Sequence, residues 1–234
     1  MRKSMLAATA MAGMAALTVL AAAAPAAAAT TKTLALWNMN EKSGATVLAD
    51  SSSNKINGTI GSHIVLNGSY QSFPYVKGGV GGVVDPAHID LVNSALLNPG
   101  TRDFVVTVRM KFTTPVGDVL QKGQSGAVGG LFKIELDSGA GKVDCSFVSP
   151  TGNAQVWSTT KINDGLWHVV TCTRTATQVS VTIDGTVRGA ILHATGNISN
   201  TWPMSIGGKS RCNQTTTFCD YFAGQIDYVQ IQTS

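Results

Sequence analysis

Charge is scarce in this chain. Only 13% of its 234 residues are Asp, Glu, Lys or Arg, and only 6% are aromatic. The 17 basic side chains include Arg2 and Lys3; without those two the balance is 15 against 13 acidic residues, a net of +2. So little net charge argues against nucleic acid or an anionic membrane as partner, since both select dense positive charge. Helical periodicity is missing after residue 29: no segment keeps a 3.6-residue apolar stripe for three turns. No C-x-x-C occurs, and His63, His88, His168 and His193 are scattered, so a zinc cluster has little support. There is no G-x-S-x-G elbow and no H-E-x-x-H. No Pro-, Ser- or Gly-rich linker and no fixed-period repeat divides the chain.

The N-terminus carries what the rest lacks. Arg2 and Lys3 lead into an apolar run, Met5 to Ala24, that closes on Pro25-Ala26-Ala27-Ala28-Ala29. A basic start, an apolar middle and small residues at an A-x-A site predict a secretory signal peptide over residues 1–29. The run is mostly alanine and no charged stop-transfer flank follows, so no membrane span is expected in the mature chain. The alanine-rich leader reads as bacterial, and the protein as secreted. Residues 30–234 are then expected to form one domain.

All four cysteines fall in that domain, and an even number in an exported chain suggests disulfides. Three connectivities are possible. Cys212 and Cys219 share a polar loop-like stretch, while Cys145 and Cys172 each sit in an alternating run. The expected pairs are therefore 212 with 219, and 145 with 172, the latter stapling neighbouring strands. Strand signals recur throughout. Phe104, Val106, Val108, Met110 and Phe112 alternate with Val105, Thr107, Arg109 and Lys111. Val179, Val181 and Ile183 alternate too, and Asp184-Gly185 before a second apolar run signals a hairpin. Many short strands with turns between them predict an all-β fold, a two-sheet antiparallel sandwich.

Four motifs in order carry a resemblance. They are Leu36-Trp37-Asn38-Met39-Asn40-Glu41 with Asp50-Ser51-Ser52-Ser53-Asn54; Val119-Leu120-Gln121-Lys122-Gly123; Asp164-Gly165-Leu166-Trp167-His168-Val169-Val170 with the Val179–Gly185 run; and Phe222-Ala223-Gly224-Gln225-Ile226-Asp227. Together they resemble laminin-G-like domains of the concanavalin A-like lectin/glucanase jelly rolls. The resemblance implies a jelly-roll sandwich, and a structural calcium ion between the opening loop and the closing strand. Asp50, Asn57 and Asp227 are the candidate ligands, with Glu41 assisting; the alternative is an ordinary Asx-turn loop.

Catalysis in such a fold needs two carboxyl groups about 5–9 Å apart. Glu135-Leu136-Asp137 is the one E-x-D pair, and no third carboxylate follows it in sequence. It is read as a solvated strand end, and no enzyme is expected. Trp167 shares the parity of Val169 and is expected in the core. His168 would then face solvent, with nothing acidic flanking it. Sugar binding needs an aromatic face and amide or carboxylate edges. Gln155 and Trp157 share a strand face and are the best such pair. Trp202 and Tyr221, with Asn153 and Asn200, lie beside loops, and Tyr70, Phe73 and Tyr75 form a separate cluster. The expected function is a secreted, non-catalytic module for an extracellular or cell-wall glycan. A protein-binding or adhesion module and a glycan-cleaving enzyme are the alternatives.

Overall fold

The computed structural model describes residues 31–75, 87–211 and 219–234, so the expected leader lies outside the described residues. Among the described residues the chain forms strands β1 (Lys32–Trp37), β2 (Val47–Leu48), β3 (Gly58–Ile60), β4 (Val65–Leu66), β5 (Gln71–Phe73), β6 (Ile89–Leu91), β7 (Phe104–Lys111), β8 (Asp118–Lys122), β9 (Leu131–Leu136), β10 (Val143–Ser149), β11 (Gly152–Trp157), β12 (His168–Arg174), β13 (Gln178–Ile183), β14 (Thr186–Leu192), β15 (Met204–Ile206) and β16 (Gly224–Thr233). A 3-10 turn, Ala95–Leu97, is the one helical element among them. No helix there is long and apolar enough to cross a membrane.

The strands pair into two antiparallel sheets, as the period-two patterns predict. The first runs β14-β13-β12-β7-β16-β5-β4, with β1 also on β16; the second runs β11-β10-β9-β8-β15-β6-β3-β2. The β13–β14 hairpin turns at Asp184 (φ 50°) and Gly185 (φ 76°), two successive positive φ values of the kind that suit a twisted hairpin. In β7, Phe104, Val106, Val108 and Met110 are buried while the residues between them are half-buried. The buried set faces the second sheet, where Phe132 meets Phe104 edge-on at 5.2 Å. Nearly all the other buried apolar side chains join the same core.

Cys145 and Cys172 form a disulfide, as expected, with Cα atoms 5.7 Å apart. Its placement differs from expectation. Cys145 belongs to β10 of the second sheet and Cys172 to β12 of the first, so the bond ties sheet to sheet rather than strand to neighbouring strand. Cys219 is also disulfide-bonded, and Cys212 lies outside the described residues.

Trp167 is not in the core. Val170 and Cys172 pair with Val108 and Val106, whose side chains are buried, so the even positions of β12 point inward. Trp167 precedes the strand and lies half-buried with Arg109 over its ring, 4.7 Å from the centroid.

Candidate functional site

The outer face of the second sheet carries an unbroken band of polar side chains. Cross-strand register builds it, because residues opposite each other share a face. Trp157 of β11 lies opposite Asp144 of β10, Asp144 opposite Glu135 of β9, and Glu135 opposite Asp118 of β8. A parallel row runs Gln155, Ser146, Lys133, Gln121, Ser205, Asp90 and Thr59. Gln155 and Trp157 are both exposed, while Ala154 and Val156, which alternate with them, are buried, as their parity predicts. Trp157 is 37% exposed at the sheet's edge.

Of the acids beneath, Asp144 and Glu135 are each tied down through one carboxylate oxygen, while Asp118 Oδ2 and Asp144 Oδ1 are buried without a hydrogen-bond partner. Asp144 accepts hydrogen bonds at Oδ2 from the Ser146 hydroxyl (2.5 Å) and the Gln155 amide (3.1 Å). Burial pushes its carboxyl up to about 6, against the pull of those bonds. Burial likewise pushes Asp118 up to about 7, opposed by the charges of Lys133 and Lys209. Glu135 pairs with Lys133 on the same strand face. Burial alone would lower the Lys133 ammonium; the bond to Glu135 and the surrounding acids outweigh it, and the net shift is upward. Asp137 falls beyond the end of β9, its N–H donating to the Lys142 carbonyl, so of the E-x-D pair only Glu135 lies within the strand. Glu135 instead sits between Asp118 and Asp144, two acids that sequence spacing does not associate with it.

A family model of laminin-G type, described as the concanavalin A-like lectin/glucanases superfamily, matches residues 85–234. The chain belongs to this superfamily. The fold is similar to domain 4 of AbnA, a GH43 extracellular arabinanase from Geobacillus stearothermophilus, solved in complex with arabinotriose (TM-score 0.57, 16% identity, 87% of this chain and 93% of that one). It is similar as well to the binding domain of Paraclostridial Mosquitocidal Protein 1 (TM-score 0.54, 12% identity, 85% and 47%). A third likeness is to a heptameric SAP-like pentraxin from Limulus polyphemus (TM-score 0.50, 16% identity, 68% and 73%). This chain thus spans about half of the solved toxin chain it matches. No curated protein sequence matches it.

In this concanavalin A-like sandwich the other expected site residues are dispersed. Tyr221 is buried, its ring stacked on His88 at 5.8 Å, so it offers no open surface; its backbone bridges to Asp118 of the polar band. Trp202 is half-buried under Arg211, 5.1 Å from its centroid, and its carbonyl accepts from the buried Lys122 ammonium. Asn200 is buried and fastens loops to Asn98 and Gly130. Asn153 is exposed beside Gln155.

The residues expected to hold calcium do not fit the ion. Asp50 accepts from the Leu36 and Ser52 amides at Oδ1 (3.0 and 2.8 Å), and from the Ser52 hydroxyl and the Ile56 amide at Oδ2 (2.8 and 2.7 Å). Four donors fill a carboxylate's four lone-pair positions. Asn57 Oδ1 accepts from the Asp50 amide at 2.9 Å. Asp227 is on the outer face of the first sheet, paired with Arg109 at 2.6 Å. Glu41 accepts from Gln71 and from the Ala49 amide. Among the described residues no group of three or more His, Cys, Asp or Glu is placed to hold a metal.

His168 is flanked by acids after all. Its Nδ1 lies 2.7 Å from Asp184 Oδ2 and its Nε2 lies 3.1 Å from Asp164 Oδ1. This clamp joins the turn before β12 to the β13–β14 hairpin. Burial would lower the imidazole, but the bonds to Asp184 and Asp164 prevail and raise it. Asp184 is held below its ordinary value: burial raises it, while the His168 bond and the Val169 amide outweigh that. The imidazolium's contribution is complete below its ordinary value and fades as pH rises through the raised one. The Asp184 contribution is present above its ordinary value and fades as pH falls through the depressed one. His168→Gln is therefore expected to destabilise more at pH 5.5 than at pH 9, by roughly 0.5–1 kcal/mol after solvent screening. Urea midpoints at the two pH values check this, and equal losses at both would contradict it.

Proposed function

We propose that this domain is a secreted, non-catalytic binding module whose ligand is an extracellular or cell-wall carbohydrate, taken on the outer face of the second sheet. One observation carries the reading: an exposed tryptophan and an exposed amide stand side by side at a sheet edge, above a row of carboxylates and hydroxyls. A sugar ring presents C–H faces and hydroxyl edges, and Trp157 with Gln155 and Asn153 meets both. The band is pre-formed, because Gln155 is already held by Asp144. The arabinotriose bound by the similar arabinanase domain supports the ligand class, and the disulfides support export.

Glycan cleavage is the second reading, favoured by the adjacency of Asp118, Glu135 and Asp144 with two raised carboxyls. Burial speaks against it. Asp118 is 1% exposed and Asp144 0%, and Lys133 neutralises Glu135, so no acid–nucleophile pair is open to a glycosidic bond. Retention on a panel of insoluble polysaccharides tests the binding. The wild type is expected to be retained, and Trp157→Ala to lose at least ten-fold in affinity while melting within about 2 °C of the wild type. Full retention by Trp157→Ala would move the site elsewhere. Reducing sugar released by the wild type but not by Glu135→Gln would establish the enzyme reading.

A further inference from the structure

The opposite face of the sandwich, the outer face of the first sheet, carries mostly small polar side chains, such as the Thr107 and Thr171 hydroxyls 3.3 Å apart. At one end its character changes. Trp167 and Tyr70 meet edge-on at 5.5 Å, and the Lys111 ammonium sits over both, 5.0 Å from the Trp167 centroid and 5.7 Å from that of Tyr70. Two aromatic faces fix one cation, so little rotamer entropy remains to be lost when it meets an anion. Arg109, the other cation here, is already matched by Asp227. Among the described residues no carboxylate pairs with Lys111, so one positive charge is left over.

That charge borders a cleft of about 390 Å³ lined by Ser72, Tyr75, Lys111, Thr113, Gly165 and Gln225 among others. The size suits a small ligand, for which clefts of about 300–1,000 Å³ are usual. Gln225 lies opposite both Ser72 and Lys111, so hydroxyl, amide and ammonium form one transverse row. Gln225 Oε1 is buried without a hydrogen-bond partner. Tyr75 is 61% exposed and supplies an apolar face at the rim. The strands beneath are paired on both sides: β5 lies between β4 and β16, and β7 between β12 and β16. A peptide therefore finds no open edge to extend here.

We propose that the cleft at Tyr75, Lys111 and Gln225 is a second saccharide site, separate from the Trp157 face, and that it takes a sugar unit carrying one carboxylate, a uronic acid. One surplus ammonium matches one carboxylate; a polysulfated chain would need several cations at the cleft, and Lys111 is the one cation among its described lining residues. Ser72, Thr113 and Gln225 meet ring hydroxyls, and Tyr75 covers a C–H face. Because this site lies on the opposite sheet from Trp157, the module is built to touch two chains at once.

Calorimetric titration with a galacturonate trimer, its neutral galactose counterpart and a sulfated galactose trimer tests this. The galacturonate is expected to bind the wild type at least ten-fold more tightly than either other trimer, and to weaken as salt rises. Lys111→Met keeps the aliphatic stem between the rings and should lose that preference, while Lys111→Arg should restore it. Tyr75→Ala should weaken all galacturonate binding without altering the melt. The proposal is overturned if Lys111→Met retains the preference, if the neutral or sulfated trimer binds as well as the galacturonate, or if the galacturonate does not bind at millimolar concentration.

Discussion

Replacing Cys145 and Cys172 together by alanine is expected to lower stability by about 3–4 kcal/mol, the loop-entropy value for a bridge of this span. The bond closes a sequence separation of 27 and lies wholly inside the core, where both residues are buried. It joins β10 to β12 and so fixes the distance between sheets that otherwise meet through apolar contacts alone at this point. Two effects add in the variant: the unfolded chain regains freedom, and two sulfur atoms leave the core. For a domain of this size the midpoint should fall by about 10 °C. Urea unfolding of the double variant beside the wild type measures it. A loss below about 1 kcal/mol would mean that the sheets are held without the bridge.

Asp50→Ala is expected to cost about 3 kcal/mol, because one buried carboxylate organises the whole opening loop. The Leu36, Ser52 and Ile56 amides all converge on it, and the variant leaves them without an acceptor. Asn57→Ala removes only the bond from the Asp50 amide and should cost about 1 kcal/mol. Thermal melts of the two variants check the order. The wild-type melt should be the same in EDTA as in millimolar calcium, since the loop's own donors fill the carboxylate. A rise of several degrees with calcium would show that the ion displaces them.

The sandwich was legible because its strands announce themselves locally. The alternation of Phe104 to Phe112 and the Asp184-Gly185 turn need no distant partner to be read. The parity of β12 was harder, since apolar residues occupy both its faces. Cys172 held the clue: a cysteine bound to Cys145 across the sheets must point inward, which places Trp167 and Val169 outside. The carboxylate row could not be found from spacing. Asp118, Glu135 and Asp144 lie on three strands, and only the register between those strands brings them together. The shared exposed face of Gln155 and Trp157 was legible because two residues on one strand share a face by parity alone. Tyr221 was misjudged because a loop-flanking aromatic looks the same in sequence whether it faces solvent or, as here, stacks on His88.

The central claim is that the Trp157 face binds carbohydrate. It is tested most directly by following the four tryptophan indole N–H signals in nitrogen-15 NMR spectra during titration with neutral cell-wall oligosaccharides. The Trp157 signal, at the exposed edge of the second sheet, should shift with saturable dependence on ligand. That of Trp37, buried with its indole donating to the Ile56 carbonyl at 2.8 Å, should stay fixed. A Trp157 signal that does not move while another indole does, or no movement with any oligosaccharide of the panel, would contradict the account.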